Sequence, residues 1–232
     1  MSLTASIRAI HNRMIAACQR CQRDPDNVRL VAVTKTLPAS VVAEAVACGL
    51  RLFGENRVQE ARDKIAELAN PALEWHLIGT LQRNKAREAA ALFNMVHSVD
   101  SIPLAQELHR CVVASGRATP LPILLQVNVG GESQKHGFAT MEVAAAVTAV
   151  RALSGLDLRG LMTVPPYLEE SEAVRPHFRE LARLARRLEQ ETPGLRLAEL
   201  SMGMSHDFEV AIEEGATLIR VGSALFGARH YP

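Results

Sequence analysis

A closed (β/α)8 barrel of parallel strands is the fold class this sequence predicts, and three observations predict it. Short β-branched runs alternate with helical patterns along nearly the whole chain, about eight such runs can be counted, and no linker rich in Pro, Gly or Ser interrupts them. Strands separated each time by a helix pair in parallel, and eight of them are enough to close. At 232 residues the chain is slightly shorter than the roughly 250 usual for such a barrel. It reads as one domain over 1–232.

The elements justify themselves in order. Thr4 to Arg23 carries Ile7, Ile10, Met14, Cys18 and Cys21 at helical spacing, so residues 1–25 are expected to supply a helix that packs on the outside of the barrel. Cys18 and Cys21 continue that apolar stripe, which favours core packing over a metal or redox site. RLVAVT (29–34) is the first strand, and PASVVAEAVACG (38–49) is a helix with Pro near its start and Gly just past its end. LFGEN (52–56) leads into RVQEARDKIAELA, EWHLIG (74–79) into QRNKAREAAALF, and NMVHSV (94–99) into PLAQELHRCVVASG. PILLQVNV (122–129) leads into MEVAAAVTAVRALSG, DLRGLMTV (157–164) into SEAVRPHFRELARLARRLEQ, and LAELSMG (197–203) into HDFEVAIEEG, before TLIRVG (217–222) closes the series. An open doubly wound sheet is the competing arrangement. The first strand lacks a following G-x-G-x-x-G, which weakens the dinucleotide-binding form of it.

Composition narrows the function. With 48% hydrophobic and 22% charged residues the chain is an ordinary globular one, and a formal charge of +1 leaves no field for a polyanion, so nucleic acid is not an expected partner. No basic-then-apolar leader opens the chain and no apolar run approaches the roughly 18 residues of a membrane span, so the expected place is the cytoplasm. Four Cys do not make a secreted disulfide framework.

The residues that draw attention sit where strands end. These are Lys35 after the first, Glu55 and Asn56 after the second, Gly79 after the third, Asn128 after the fifth, Ser201-Met202-Gly203 at the seventh and Gly222-Ser223 at the eighth. In a barrel those ends share the face on which active sites are built. Of 26 basic residues only Lys35, Lys64, Lys85 and Lys135 are lysines. Lys35 ends an apolar strand, and an amine that emerges among apolar neighbours is freed to act as a nucleophile that forms Schiff bases. Lys85 and Lys135 lie in polar stretches and Lys64 in a charged helix, so the surface is expected for all three. The loops after strands seven and eight are the pair that binds phosphate in many barrels, and here they carry Ser201, Gly222 and Ser223. Arg220 lies inside the apolar strand LIRV and needs either a carboxylate from a neighbouring strand or a polar ligand. An aldehyde that carries a phosphate, such as pyridoxal 5′-phosphate (PLP), satisfies all three features. A sugar phosphate satisfies the first two.

Six segments, AVTKTLPAS (32–40), FGENRVQE (53–60), WHLIGTLQRNK (75–85), QVNVGGESQKHG (126–137), GLMTVPP (160–166) and LSMGMSHDFEVAIEEGATLIRVGSALFGAR (200–229), closely resemble the YggS/PROSC-type pyridoxal phosphate homeostasis proteins. The resemblance implies a single-domain barrel of the fold-type III, alanine-racemase-like class. It implies that Lys35 holds PLP as a Schiff base, that Ser201, Gly222 and Ser223 hold the phosphate, that Arg220 faces the pyridine nitrogen and that Asn56 lines the pocket. His76 would either reach the ring or pair with a neighbour inside the barrel. The chain departs from the family pattern at Leu37, where many bacterial relatives carry a second Lys, at Arg57, where Tyr is common, and in a tail His230-Tyr231-Pro232 without lysines. Lys135 is left as the auxiliary lysine.

The function expected is therefore PLP homeostasis by a non-catalytic carrier, with PLP-dependent apoenzymes as candidate recipients and a monomer, or alternatively a dimer, as the working state. The alternative is a PLP-dependent amino-acid racemase that uses Tyr167 or a His as its second base. The resemblance implies that fold-type III racemases take that base, a Tyr, from an added C-terminal β domain, which is not expected after the eighth strand here, where Tyr167 and Tyr231 are the two tyrosines. A PLP-independent Schiff-base aldolase and a pure interaction module, which would leave the small-molecule pocket empty, are the other rivals.

Overall fold

The computed structural model describes residues 2–132 and 136–227. Eight strands close in sequence order into one parallel barrel: β1 (Arg29–Val33), β2 (Leu52–Glu55), β3 (Glu74–Leu77), β4 (Met95–Val99), β5 (Leu121–Gln126), β6 (Leu156–Met162), β7 (Glu199–Ser201) and β8 (Leu218–Val221). The last strand pairs back onto the first, with Arg29 opposite Leu218 and Ala32 opposite Val221. All eight expected strands are present, and the closed barrel prevails over the open sheet.

Helices wrap the outside: α1 (Leu3–Arg20), α2 (Ala39–Ala47), α3 (Val58–Leu68), α4 (Ala86–Leu92), α5 (Ile102–Ser115), α6 (Val143–Arg151), α7 (Arg175–Glu191), α8 (Phe208–Glu213) and α9 (Ser223–Phe226). α2 ends where Gly49 turns with φ +97°, a conformation that a Cβ would strain. α1 stops at Arg20 rather than Arg23, because Gln22 takes a left-handed conformation (φ 55°) that ends the helical ladder. Its inner stripe of Ile7, Ile10, Met14, Ala17 and Cys18 is buried. Arg13 fixes it to α8 with a two-pronged ion pair to Glu209 and a guanidinium 4.5 Å from the centre of the Phe208 ring.

The core has two parts. Alternation along the strands sends Val31, Leu52, Met95, Leu124, Met162 and Leu218 into a small cluster inside the barrel, while the opposite faces of the strands pack against the helices in a much larger one. β6 and β7 meet so closely at Gly160 that a Cβ there would lie 1.8 Å from the Glu199 carbonyl oxygen. Among the described residues no helix is long and apolar enough to cross a membrane, and no cluster of three His, Cys, Asp or Glu could hold a metal ion.

Candidate functional site

A cavity of about 480 Å³ opens at the C-terminal ends of the strands. That volume lies in the range of small-molecule sites. Of the residues marked in the sequence, Lys35, Asn56, Arg220, Gly222 and Ser223 line it, joined by Val33, Ile78, Val164, Tyr167, Met204, Ser205 and His206. Six strand ends contribute, so residues nearly 190 positions apart reach one space only because the barrel closes.

Lys35 is half-buried, and the chain on either side of it is tied to α3. On one side Lys64 donates to the Thr34 carbonyl (2.7 Å) and to Glu55 Oε1 (2.6 Å), and the Thr34 hydroxyl donates to that same oxygen (2.6 Å). On the other side Thr36 sits at φ 64° with its N–H on Glu60 Oε2 at 2.9 Å, which holds a non-glycine residue in the left-handed region. Two expectations are corrected here. Lys64 is buried, not on the surface, and Glu55 points outward into the layer between barrel and α3, not toward the mouth. Both follow from strand parity: Val31, Val33 and Lys35 face inward, so Thr34 and its neighbour Glu55 face the helices and need a cation there. Burial raises the Glu55 carboxyl above its ordinary range, against the pull of Lys64 and the Thr34 hydroxyl.

Arg220 is buried, and it meets no carboxylate among the described residues. It donates through Nη1 to Ser201 Oγ (2.6 Å) and through Nη2 to the Thr163 carbonyl (2.8 Å), both neutral acceptors. Burial lowers its pKa to about 10, with Asp207 opposing, so the guanidinium stays charged at neutral pH. An interior cation with no carboxylate in contact suits a ligand that brings acceptors of its own.

Ser201 does not line the cavity. Its fully buried hydroxyl lies between Arg220 and His97 Nδ1 (2.8 Å). The hydroxyl that does reach the loop after β8 is Ser205, four residues on, where Oγ accepts the N–H groups of Gly222 and Ala224 at 3.2 Å each. His76 pairs inside the barrel: Nε2 lies 2.8 Å from Glu74 Oε1 and Nδ1 lies 2.9 Å from His97 Nε2. Burial pushes both imidazoles below their ordinary value, His97 well below it. Asn128 turns its amide to the Glu132 carbonyl, and Lys85 is half-buried beside a neighbouring groove. Lys135 and the His230-Tyr231-Pro232 tail lie outside the described residues.

Residues 6–230 match the model of the family described as alanine racemase, N-terminal domain. A Pseudomonas aeruginosa protein named pyridoxal phosphate homeostasis protein is 47% identical over 230 residues, which cover 99% of this chain and 97% of the relative. The chain belongs to the pyridoxal phosphate homeostasis protein family. A member from Aquifex aeolicus, with the same name, is 41% identical over the full length of both chains. PipY of Synechococcus elongatus PCC7942, solved with PLP bound, superimposes with a TM-score of 0.81 at 42% identity, covering 94% of this chain and all of that one. Reading the sequence alone does not find Ser205, His97 or the Glu55–Lys64 pair, which the folded chain places at or beside the cavity. Ser205 shares its loop with Ser201, and the alternation of β4, with buried His97 facing the same way as Met95, carried a signal for His97.

Proposed function

We propose that this protein binds pyridoxal 5′-phosphate at the barrel mouth and serves PLP homeostasis as a carrier, with Lys35 as the covalent anchor and no turnover of its own. The observation that carries the reading is the meeting at one cavity of a primary amine, a buried guanidinium without a carboxylate partner among the described residues, and a serine hydroxyl on which two backbone N–H groups converge. The residues present fit the cofactor. When bound, PLP supplies an aldehyde that condenses with primary amines and a ring that can draw off electrons.

In this reading Lys35 presents its amine at the end of β1, fixed by the ties of Thr34 and Thr36 to α3. Ser205, Ser223 and the N–H groups of Gly222 and Ala224 would receive the phosphate, a task that Ser205 takes over from the expected Ser201. Arg220 would donate to the ring nitrogen while Asn56 bounds the ring's space. A permanent donor at that nitrogen disfavours its protonation, which weakens the ring as an electron sink and favours storage over carbanion chemistry. The cytoplasm is the proposed compartment, a reading supported by four free thiols at Cys18, Cys21, Cys48 and Cys111. PLP-dependent apoenzymes are the proposed recipients and a monomer the proposed state.

Absorbance before and after borohydride, followed by peptide mapping, tests the anchor. The expected result is a yellow protein that bleaches with label fixed on Lys35, and a Lys35→Ala variant that keeps PLP as tightly as wild type would remove Lys35 from the role. Tyr167 lines the same cavity and could act as a second base. Sustained α-deuterium exchange from single-enantiomer amino acids in deuterated water would therefore replace the carrier with the racemase.

A further inference from the structure

A single file of hydrogen bonds crosses the barrel interior from Glu74 through His76, His97 and Ser201 to Arg220, with successive distances of 2.8, 2.9, 2.8 and 2.6 Å. His76, His97 and Ser201 are all fully buried. At its far end Glu74 also pairs with Arg29.

Donor chemistry fixes every proton in this file. The ionised Glu74 only accepts, so His76 carries its proton on Nε2. A neutral His76 then accepts at Nδ1, which requires His97 to donate from Nε2. Neutral His97 accepts at Nδ1, so the Ser201 hydroxyl donates to it, and the lone pairs of Ser201 are left for Arg220. The guanidinium only donates, and both ends of the file therefore demand the same direction. Any other arrangement turns a bare His76 Nε2 toward the Glu74 carboxylate, sets two N–H groups face to face or leaves the Ser201 proton pointing at a cation. A second proton on His76 would meet the Nε2–H of His97. Moving that proton to His97 Nδ1 would in turn strand the Ser201 hydroxyl between two donors.

We propose that this file is a positioning device for Arg220, with His97 as its central positioning residue. It gives the guanidinium one fixed neutral acceptor backed by a distant carboxylate, so Arg220 is held in place without a counter-ion in contact. Its remaining N–H groups stay available to an acceptor in the cavity. A carboxylate at the place of Ser201 would capture the cation directly, and a hydroxyl without His97 behind it would have no fixed direction. The part of this inference that concerns a ring nitrogen rests on the PLP reading, while the part that concerns Arg220 does not.

The test separates the two. In ligand-free protein at pH 7, nitrogen-15 NMR should show His76 and His97 neutral with the proton on Nε2, and two resolved Nη signals for Arg220. In His97→Phe the Arg220 Nη signals should merge as the guanidinium gains rotation, and PLP should bind about tenfold more weakly, the effect of one buried charge-assisted hydrogen bond. His97→Gln, whose amide can donate to His76 and accept from Ser201, should recover most of both, and it serves if the Phe variant does not fold. A charged or Nδ1-protonated imidazole, or unchanged Arg220 signals in a folded His97→Phe, overturns the device. Failure of wild type to bind PLP overturns the cofactor reading alone, because the Arg220 signals are read without ligand.

Discussion

Lys64 Nζ and Glu55 Oε1 stand 2.6 Å apart with 8% and 0% of their side chains exposed, so the pair is an interior one. Among the described residues Glu55 Oε2 has no hydrogen-bond partner. Removing the cation leaves a buried carboxylate with only the Thr34 hydroxyl, and removing one member of such a pair costs about 3–5 kcal/mol. Lys64→Met should lower the unfolding free energy in urea by that order, and Lys64→Met with Glu55→Leu should restore much of it. Equal stability of Lys64→Met and wild type would mean that the pair contributes nothing.

His76 and His97 set an acid limit on the fold. Both have folded values below the ordinary 6.5 because burial disfavours the charged ring, with Arg29 adding to that at both sites and Arg220 at His97, against Glu74 and Glu199 at His76. The unfolded chain binds these protons and the folded one does not. Their contribution is therefore complete above about pH 6.5 and is lost as pH falls below it. Each contributes a slope of at most about 1.4 kcal/mol per pH unit. Urea titrations between pH 7 and 5 should show stability falling with acidification, with a shallower slope in His97→Gln. A flat profile through this window would contradict the buried neutral rings.

Ser205 and Ser201 should differ in kind. Ser205→Ala takes away the one hydroxyl that receives the Gly222 and Ala224 N–H groups. It should weaken PLP binding about tenfold with little change in melting temperature. Ser201→Ala leaves Arg220 and His97 without their shared partner and should lower both affinity and stability. If Ser201→Ala alone reduced affinity, the phosphate role would return to Ser201.

Gly79 is a wall behind Asn56. A Cβ at Gly79 would lie 2.5 Å from the Asn56 carbonyl oxygen and 2.7 Å from its Cα, with backbone atoms that cannot swing aside. Gly79→Ala should shift Asn56 in the cavity, lowering PLP affinity more than Asn56→Ala does. Affinity equal to wild type would show that the loop yields without cost.

The sequence made the barrel legible because short β-branched apolar runs and intervening helices are local signals, and all eight runs became strands. Lys35 was legible for the same reason, as a rare residue type at a strand end. Parity at the strand end was not. Glu55 and Asn56 are adjacent, yet one faces the helices and the other the cavity, and a one-residue step decides which. The His97–Ser201 bond joins positions 104 residues apart, and nothing near either residue announces the other. Ser205 was passed over because Gly and Ser crowd the loop, and only the folded backbone shows which hydroxyl meets Gly222 N–H.

The pairing of β8 with β1 also sets an order of events during synthesis. Lys35 leaves the ribosome early, but its strand keeps an open edge until Leu218–Val221 has emerged and docked beside it. Arg220, Gly222 and Ser223 arrive with that strand. A nascent chain thus presents the Lys35 amine well before Arg220, Gly222 and Ser223, and the cavity they line together is assembled in the step that seals the cylinder. Chains truncated ahead of β8 are expected to be both unclosed and unable to retain a ligand.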